Sequence, residues 1–150
     1  EGYGIRAIHS IINANNANVS GAEGHGIDAT NSIINANNAK VSGAGQRDIY
    51  AANASIVNAN GADASGAGQH GIDATNSIIN ASNANVSGAG GYGIHASNAS
   101  IVNADGADAS GAGGSYDIVV TNGSTINAKN ATGRLNVTPN TITSNGIIFQ

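Results

Sequence analysis

The 150 residues include 22 Gly, one Phe and no Met, Trp or Cys. Such a chain lacks the large side chains a globular core needs, and an elongated fold with a narrow core of Ile, Val and Ala is expected. The missing Cys exclude a disulfide framework and Cys-based metal sites, and the net charge of −4 predicts no general attraction to nucleic acid and no basic membrane patch.

In chain order, an apolar residue marks the start of each unit of an imperfect repeat. Ile5, Ile27, Ile49, Ile72, Ile94 and Ile118 recur at spacings of 22, 22, 23, 22 and 24. Alternate units are more alike than neighbours: GIDATNSIINANNAKVSGAG (26–45) matches 71–90, and NASIVNANGADASGAG (53–68) matches 98–113. A two-coil unit has therefore been duplicated. Each unit divides into G-I-x-A, S-I-[IV]-N-A and A-x-[VA]-S-G-A-G, with Asn, Gly and Ser at the joints, where left-handed backbone is cheap. Too many Gly and Asn, and no apolar period of 3.6, rule out helices. Short strands at a long fixed period predict an all-β, right-handed, single-stranded parallel β-helix of about six coils.

Strand alternation assigns the core. Ile27 and Ala29 should point in and Asp28 out. Segment two should bury Ile12, Ile34, Val57, Ile79, Val102 and Ile126, and segment three Val19, Val41, Ala64, Val86 and Ala109. Ile11, Ile33, Ile56, Ile78 and Ile101 then face outward as an apolar stripe ~19 Å long, which marks an oligomer interface. The alternative is that both Ile of each pair turn inward at a corner. Asn13, Asn35, Asn58, Asn80, Asn103 and Asn127 should form a stacking ladder.

The repeat occupies 1–133, and 134–150 carries the only Pro and the only Phe. This tail is expected to make two short strands around a turn at Pro139–Asn140, with Ile147, Ile148 and Phe149 covering the end of the core. The chain is inside the repeat by Gly4 and lacks an initiating Met. A solenoid needs a capped first coil, so a fragment or processed product is expected.

Two outward columns gather the chemistry. One reads Tyr3, His25, Arg47, His70, Tyr92 and Tyr116; the other reads Arg6, Asp28, Tyr50, Asp73, His95 and Val119. Aromatic faces beside hydrogen-bonding groups suit sugar rings, so Tyr3, His25, Arg47, Tyr50, His70, Tyr92, His95 and Tyr116 are candidate glycan-binding residues. The plainer alternative is that turns tolerate large polar residues and nothing binds. Asp28 and Asp73, two coils apart at ~9–10 Å, are candidates for a catalytic carboxyl pair of the inverting type, although duplication alone explains them. His25 and His70 have few further ligand types nearby, so neither a metal site nor a cofactor is predicted.

Residues 115–150, SYDIVVTNGSTINAKNATGRLNVTPNTITSNGIIFQ, resemble the C-terminal ends of bacteriophage tail spikes and tail fibres. There G-I-x-A coils run into G-[ST]-x-[IV]-x-A, x-A-T-G and a final N-G-I-I-[FY] strand. The resemblance implies a virion tail protein, usually a homotrimer, contacting a bacterial surface polysaccharide or outer-membrane receptor. The chain is short for that family and lacks the long β-helix that carries glycanase sites. Coils such as GGYGIHASNAS (90–100) also resemble passenger domains of bacterial cell-surface adhesins. A polysaccharide depolymerase using Asp28 and Asp73 and an ice-binding solenoid are the remaining readings; the flat Thr array of the latter is missing.

Overall fold

A computed structural model describes residues 2–141, 143 and 145–150. The strands, in chain order, are β1 (Ile5–Ile8), β2 (Ile11–Asn13), β3 (Ile27–Thr30), β4 (Ile33–Asn35), β5 (Ile49–Ala52), β6 (Ile56–Asn58) and β7 (Ile72–Thr75). They continue as β8 (Ile78–Asn80), β9 (Ile94–Ser97), β10 (Ile101–Asn103), β11 (Ile118–Val120), β12 (Ser124–Asn127) and β13 (Gly146–Phe149). Odd strands β1 to β11 form one parallel sheet; the even strands and β13 form a second. A third face is a column of single parallel bridges, Asn18–Lys40–Asp63–Asn85–Asp108–Thr132. The chain is a parallel β-solenoid, and Ile5, Ile27, Ile49, Ile72, Ile94 and Ile118 stand in strict register.

Three corners close each coil, and each corner has a residue at positive φ. The first uses His9, Asn31, Asn53, Asn76, Asn98 and Asn122; the second Asn16, Asn38, Gly61, Asn83, Gly106 and Asn130; the third Gly21, Gly43, Gly66, Gly88 and Gly111. Asn and Gly populate this region at little cost, which is why they fill the joints. Coils three, five and six admit one extra residue at the first corner, Ala54, Ala99 and Gly123, all at positive φ.

The core follows the predicted columns. Ile34, Val57, Ile79, Val102 and Ile126 are fully buried, as are Val41, Ala64, Val86 and Ala109. Ile12 and Val19, in the first coil of the stack, are partly buried against it. Each buried Ile is worth about 1.5–3 kcal/mol relative to exposure, so the columns carry most of the favourable free energy. Ile11 (78% exposed), Ile33, Ile78 and Ile101 face outward, and Ile56 is half-buried. The second Ile or Val of each pair is therefore the inward one, and the corner alternative is excluded.

The Asn ladder forms where amides meet. Asn58 Nδ2 donates to Asn35 Oδ1 and Asn80 Nδ2 to Asn58 Oδ1, each at 2.8 Å; Asn127 Nδ2 donates to Asn103 Oδ1 at 2.9 Å. A second ladder was not expected. The Ser that opens segment two accepts, on Oγ, the backbone N–H of the Ser one coil earlier, along Ser10, Ser32, Ser55, Ser77, Ser100 and Ser124. These hydroxyls satisfy amides that the corner removes from the sheets.

The tail adds a partial seventh coil. Leu135 bridges Ile118 in parallel, Asn136 bonds both N–H and C=O of Val120, and β13 extends the second sheet beside β12. Asn140 takes a positive φ in the turn after Pro139. Strand alternation corrects the expected cap: Ile148 is fully buried above Ile126, whereas Ile147 is half-buried and Phe149 is 45% exposed. The Leu135 segment forms a bridge and not a strand.

Candidate functional site

The two polar columns lie side by side, one on the outer face of the odd-strand sheet and the other at the turn leading into it. Register places Arg6, Asp28, Tyr50, Asp73, His95 and Val119 one above another. The neighbouring column meets them through side chains. Tyr3 contacts His25 (5.7 Å between ring centroids), His25 contacts Tyr50 (5.3 Å), and His70 stacks on Tyr92 at 5.0 Å and 3°. His95 touches both His70 and Tyr92. Arg6 lies over the Tyr3 ring and Arg47 over the Tyr50 ring, at 4.8 and 4.7 Å. The rings form two groups, Tyr3–His25–Tyr50 and His70–Tyr92–His95, and Arg47 links them, lying over Tyr50 and beside Asp73.

The carboxylates sit beneath these rings. Asp28 and Asp73 point away from the core as expected, but the flanking side chains cover them, and both are buried. Arg47 Nε lies 2.6 Å from Asp73 Oδ2; its N–H is misaligned for a hydrogen bond, so the contact is chiefly Coulombic. His95 Nδ1 lies 3.0 Å from Asp73 Oδ1. Burial pushes the Asp73 carboxyl up, but the His95 hydrogen bond and the charges of His95, Arg47 and His70 outweigh it and hold the group below its ordinary value. Asp28 Oδ2 is 3.5 Å from Arg6 Nε, and its Oδ1 meets no hydrogen-bond partner among the described residues.

These pairings bear on the carboxyl pair. Tyr50 stands between Asp28 and Asp73 in the register. A general acid needs a raised pKa, and Asp73 is moved the other way. Asp73 is therefore not suited to the general-acid role of such a pair.

His25 and His70 share a local role. Each accepts, on Nδ1, the backbone N–H of the residue one coil later, Arg47 at 3.3 Å and Tyr92 at 3.0 Å. Burial lowers the His70 pKa; Asp73 opposes this, and His95 and Arg47 reinforce it.

Of the predicted glycan-binding residues, Tyr3, His25, Arg47, Tyr50, His70, Tyr92 and His95 come together in the ladder, and their ring faces are largely spent on one another. Tyr92 is further covered by Gly114, where a Cβ would lie 2.9 Å from the ring. Tyr116 stands apart: it is 43% exposed and makes no ring contact among the described residues. Val119 is buried and closes the column. The edge therefore offers hydroxyl, imidazole and guanidinium groups along its length and a free aromatic face at Tyr116.

Sequence reasoning missed Asp48, Asp117 and Arg134. Asp117 Oδ1 accepts Ala112 N–H and Arg134 Nη2, and its Oδ2 accepts Arg134 N–H and Nε. Asp48 is fully buried, with Oδ1 on Ala44 N–H at 2.8 Å and Oδ2 without a partner among the described residues. The signal was present in the repeat, since the same position is Gly4, Gly26, Gly71 and Gly93 in the other coils.

The outward Ile column borders a shallow groove along the first corner. Its lining includes Ile11, Ile33 and Ala54 in one part and Ile56, Ile78 and Ala99 in the next. No family model, curated protein or solved structure matches the chain.

Proposed function

We propose that the solenoid is a structural and receptor-binding module of the phage tail-spike or tail-fibre kind, displaying its Tyr–His–Arg–Asp edge to a bacterial surface glycan. The observation that carries this reading is the concentration of large hydrogen-bonding side chains in one ordered ladder, while other outward positions are mostly Asn, Ser, Ala and Gly. Because the other rings pack against each other, recognition runs through hydrogen bonds to sugar hydroxyls, with ring stacking confined to Tyr116. Binding sites that combine a rigid scaffold with a few fixed polar anchors lose little entropy on association.

The Ile column is the proposed contact between copies of the chain; the family resemblance implies a homotrimer and a virion-tail location. Stripes of this kind are rare on monomers.

A glycan array probed with the full chain tests the first part. Tyr116→Ala, Tyr50→Ala and Tyr92→Ala are expected to weaken the hits, and binding indifferent to all three would overturn the reading. Mass measurement in solution tests the second. A monomer at high concentration removes the Ile contact, whereas a trimer dispersed by Ile11→Lys and Ile101→Lys supports it.

A further inference from the structure

The two copies of the duplicated unit differ on the polar edge. The first stacks His25, Asp28 and Tyr50; the second stacks His70, Asp73 and His95 at matching positions. Exchanging Tyr for His changes the donor set. In the second copy two imidazoles and one carboxylate bring ligand atoms within 4.8 Å of one another. The geometry points to a site for a divalent transition-metal ion at His70, Asp73 and His95, of the class that favours imidazole nitrogen: Zn²⁺, Ni²⁺ or Cu²⁺. Ca²⁺ and Mg²⁺ prefer all-oxygen shells and are not matched.

The ligands are held before any ion arrives. Asp73 lies mid-strand in β7 with its side chain 5% exposed, so it cannot swing into water. His95 already faces it, with Nδ1 3.0 Å from Oδ1. His70 is fixed by its stack on Tyr92 and by the Tyr92 amide. Closing onto one ion requires these atoms to approach to roughly 3.3 Å of each other, the edge of a tetrahedron with bonds of ~2.0 Å. Three protein ligands leave the fourth position open to water or an external donor.

Two features oppose the ion and set the affinity. Arg47 places a positive charge 2.6 Å from Asp73 Oδ2. His70 must give up the Tyr92 amide bond whichever nitrogen it uses. Nδ1 loses it by displacement; freeing Nε2 puts a proton on Nδ1, against the Tyr92 N–H. Binding should therefore be weaker than at a closed structural site.

Calorimetric titration of the full chain with ZnCl₂ and with NiCl₂ at pH 7.5 tests this. One ion per chain is expected. His95→Tyr copies the residue found at Tyr50 in the first unit, so the coil still folds, and it should weaken binding at least about tenfold. His9→Ala, with its ring far along the chain against Asn31, should leave the affinity unchanged. Arg47→Gln removes the competing cation and should strengthen binding several-fold. A visible Co²⁺ absorption band lost in His95→Tyr would give independent support. Absence of binding at millimolar Zn²⁺ and Ni²⁺, or wild-type affinity in His95→Tyr, overturns the site.

Discussion

Asp48 and Asp117 occupy the same position of the coil, three coils apart, and meet opposite fates. Both carboxyls turn to the third corner and accept an amide there, Ala44 for one and Ala112 for the other. Asp117 then gains Arg134, whose backbone N–H and guanidinium wrap both oxygens, and its pKa is lowered to about 2, with the Arg134 hydrogen bonds as the main cause. Asp48 gains no such partner, and burial pushes it up to about 7. The difference lies in the stack above each residue. One coil beyond Asp48 the matching position is Gly71, where even a Cβ would lie 2.3 Å from Val86 Cγ1. An Arg has no room there. Beyond Asp117 the full coils have ended, and Arg134 enters from the open side, half-exposed. An interior coil excludes the counter-ion that the last coil can host.

The largest expected effect comes from Asp48, the acid without a counter-ion. A folded pKa of about 7 against an ordinary 3.8 means the native state holds this proton more tightly than the unfolded chain does. Its stabilising contribution is full below pH 3.8 and is lost as pH rises towards 7, to a total of about 4 kcal/mol. Asp48→Asn keeps an acceptor for Ala44 and carries no charge. Urea unfolding of both proteins from pH 4 to pH 8 should show the wild type weakening relative to the variant by up to that amount. Parallel profiles would refute the assignment.

Asp117→Ala should act in the opposite sense and somewhat less. It strands the amides of Ala112 and Arg134 at a covered corner, at a cost of about 3 kcal/mol at pH 7. Its pH limb is on the acid side. With the folded pKa depressed, the stabilisation is present above pH 3.8 and disappears as pH falls towards 2. Asp117 is covered from water but sits at the thin end of the stack beside an exposed guanidinium, so screening reduces that limb to about 1 kcal/mol. Acid titration of the folded fraction, monitored by circular dichroism, measures it; a gap between variant and wild type that stays constant from pH 5 to pH 2 would remove the ion pair from the account.

The same contrast explains what was legible in the sequence. A column that repeats announces itself: the Ile, Val and Ala of the core, the outward Ile and the Asn ladder were all readable from spacing and strand alternation. The polar edge was readable too, because its residues stand out against Asn and Ala. The Ser ladder is equally periodic, but each bond is donated by a backbone amide to the hydroxyl of the next coil, which no side-chain pattern displays. Asp48 was hidden because its meaning depends on what fills the coil above. The cap was half-readable: alternation does bury Ile148, but it also turns Phe149 out, where size alone suggested burial. The meeting of His70, Asp73 and His95 needed the 22-residue register together with the neighbouring column, two offsets that no local motif contains.

The smallest effect tests the rule that a polar side chain in a solenoid is safe when its own copy lies in the next coil. Asn58 has both partners of that kind. It donates to Asn35 and accepts from Asn80, so the column satisfies itself without charge. A carboxylate cannot do this with its own copy, since both sides would be acceptors. Asn58→Ala should therefore cost only about 0.5–1 kcal/mol, because the residue is half-buried and water can reach the amides left behind. Asn58→Asp should cost more at pH 7: it can accept from Asn80, but it sets two acceptors face to face at Asn35. Protonation restores a donor, so the excess cost should vanish near pH 3. Urea midpoints of the two variants at pH 7 and pH 3 decide the point, and an Asp variant no weaker than the Ala variant at pH 7 would show that the ladder tolerates any polar atom.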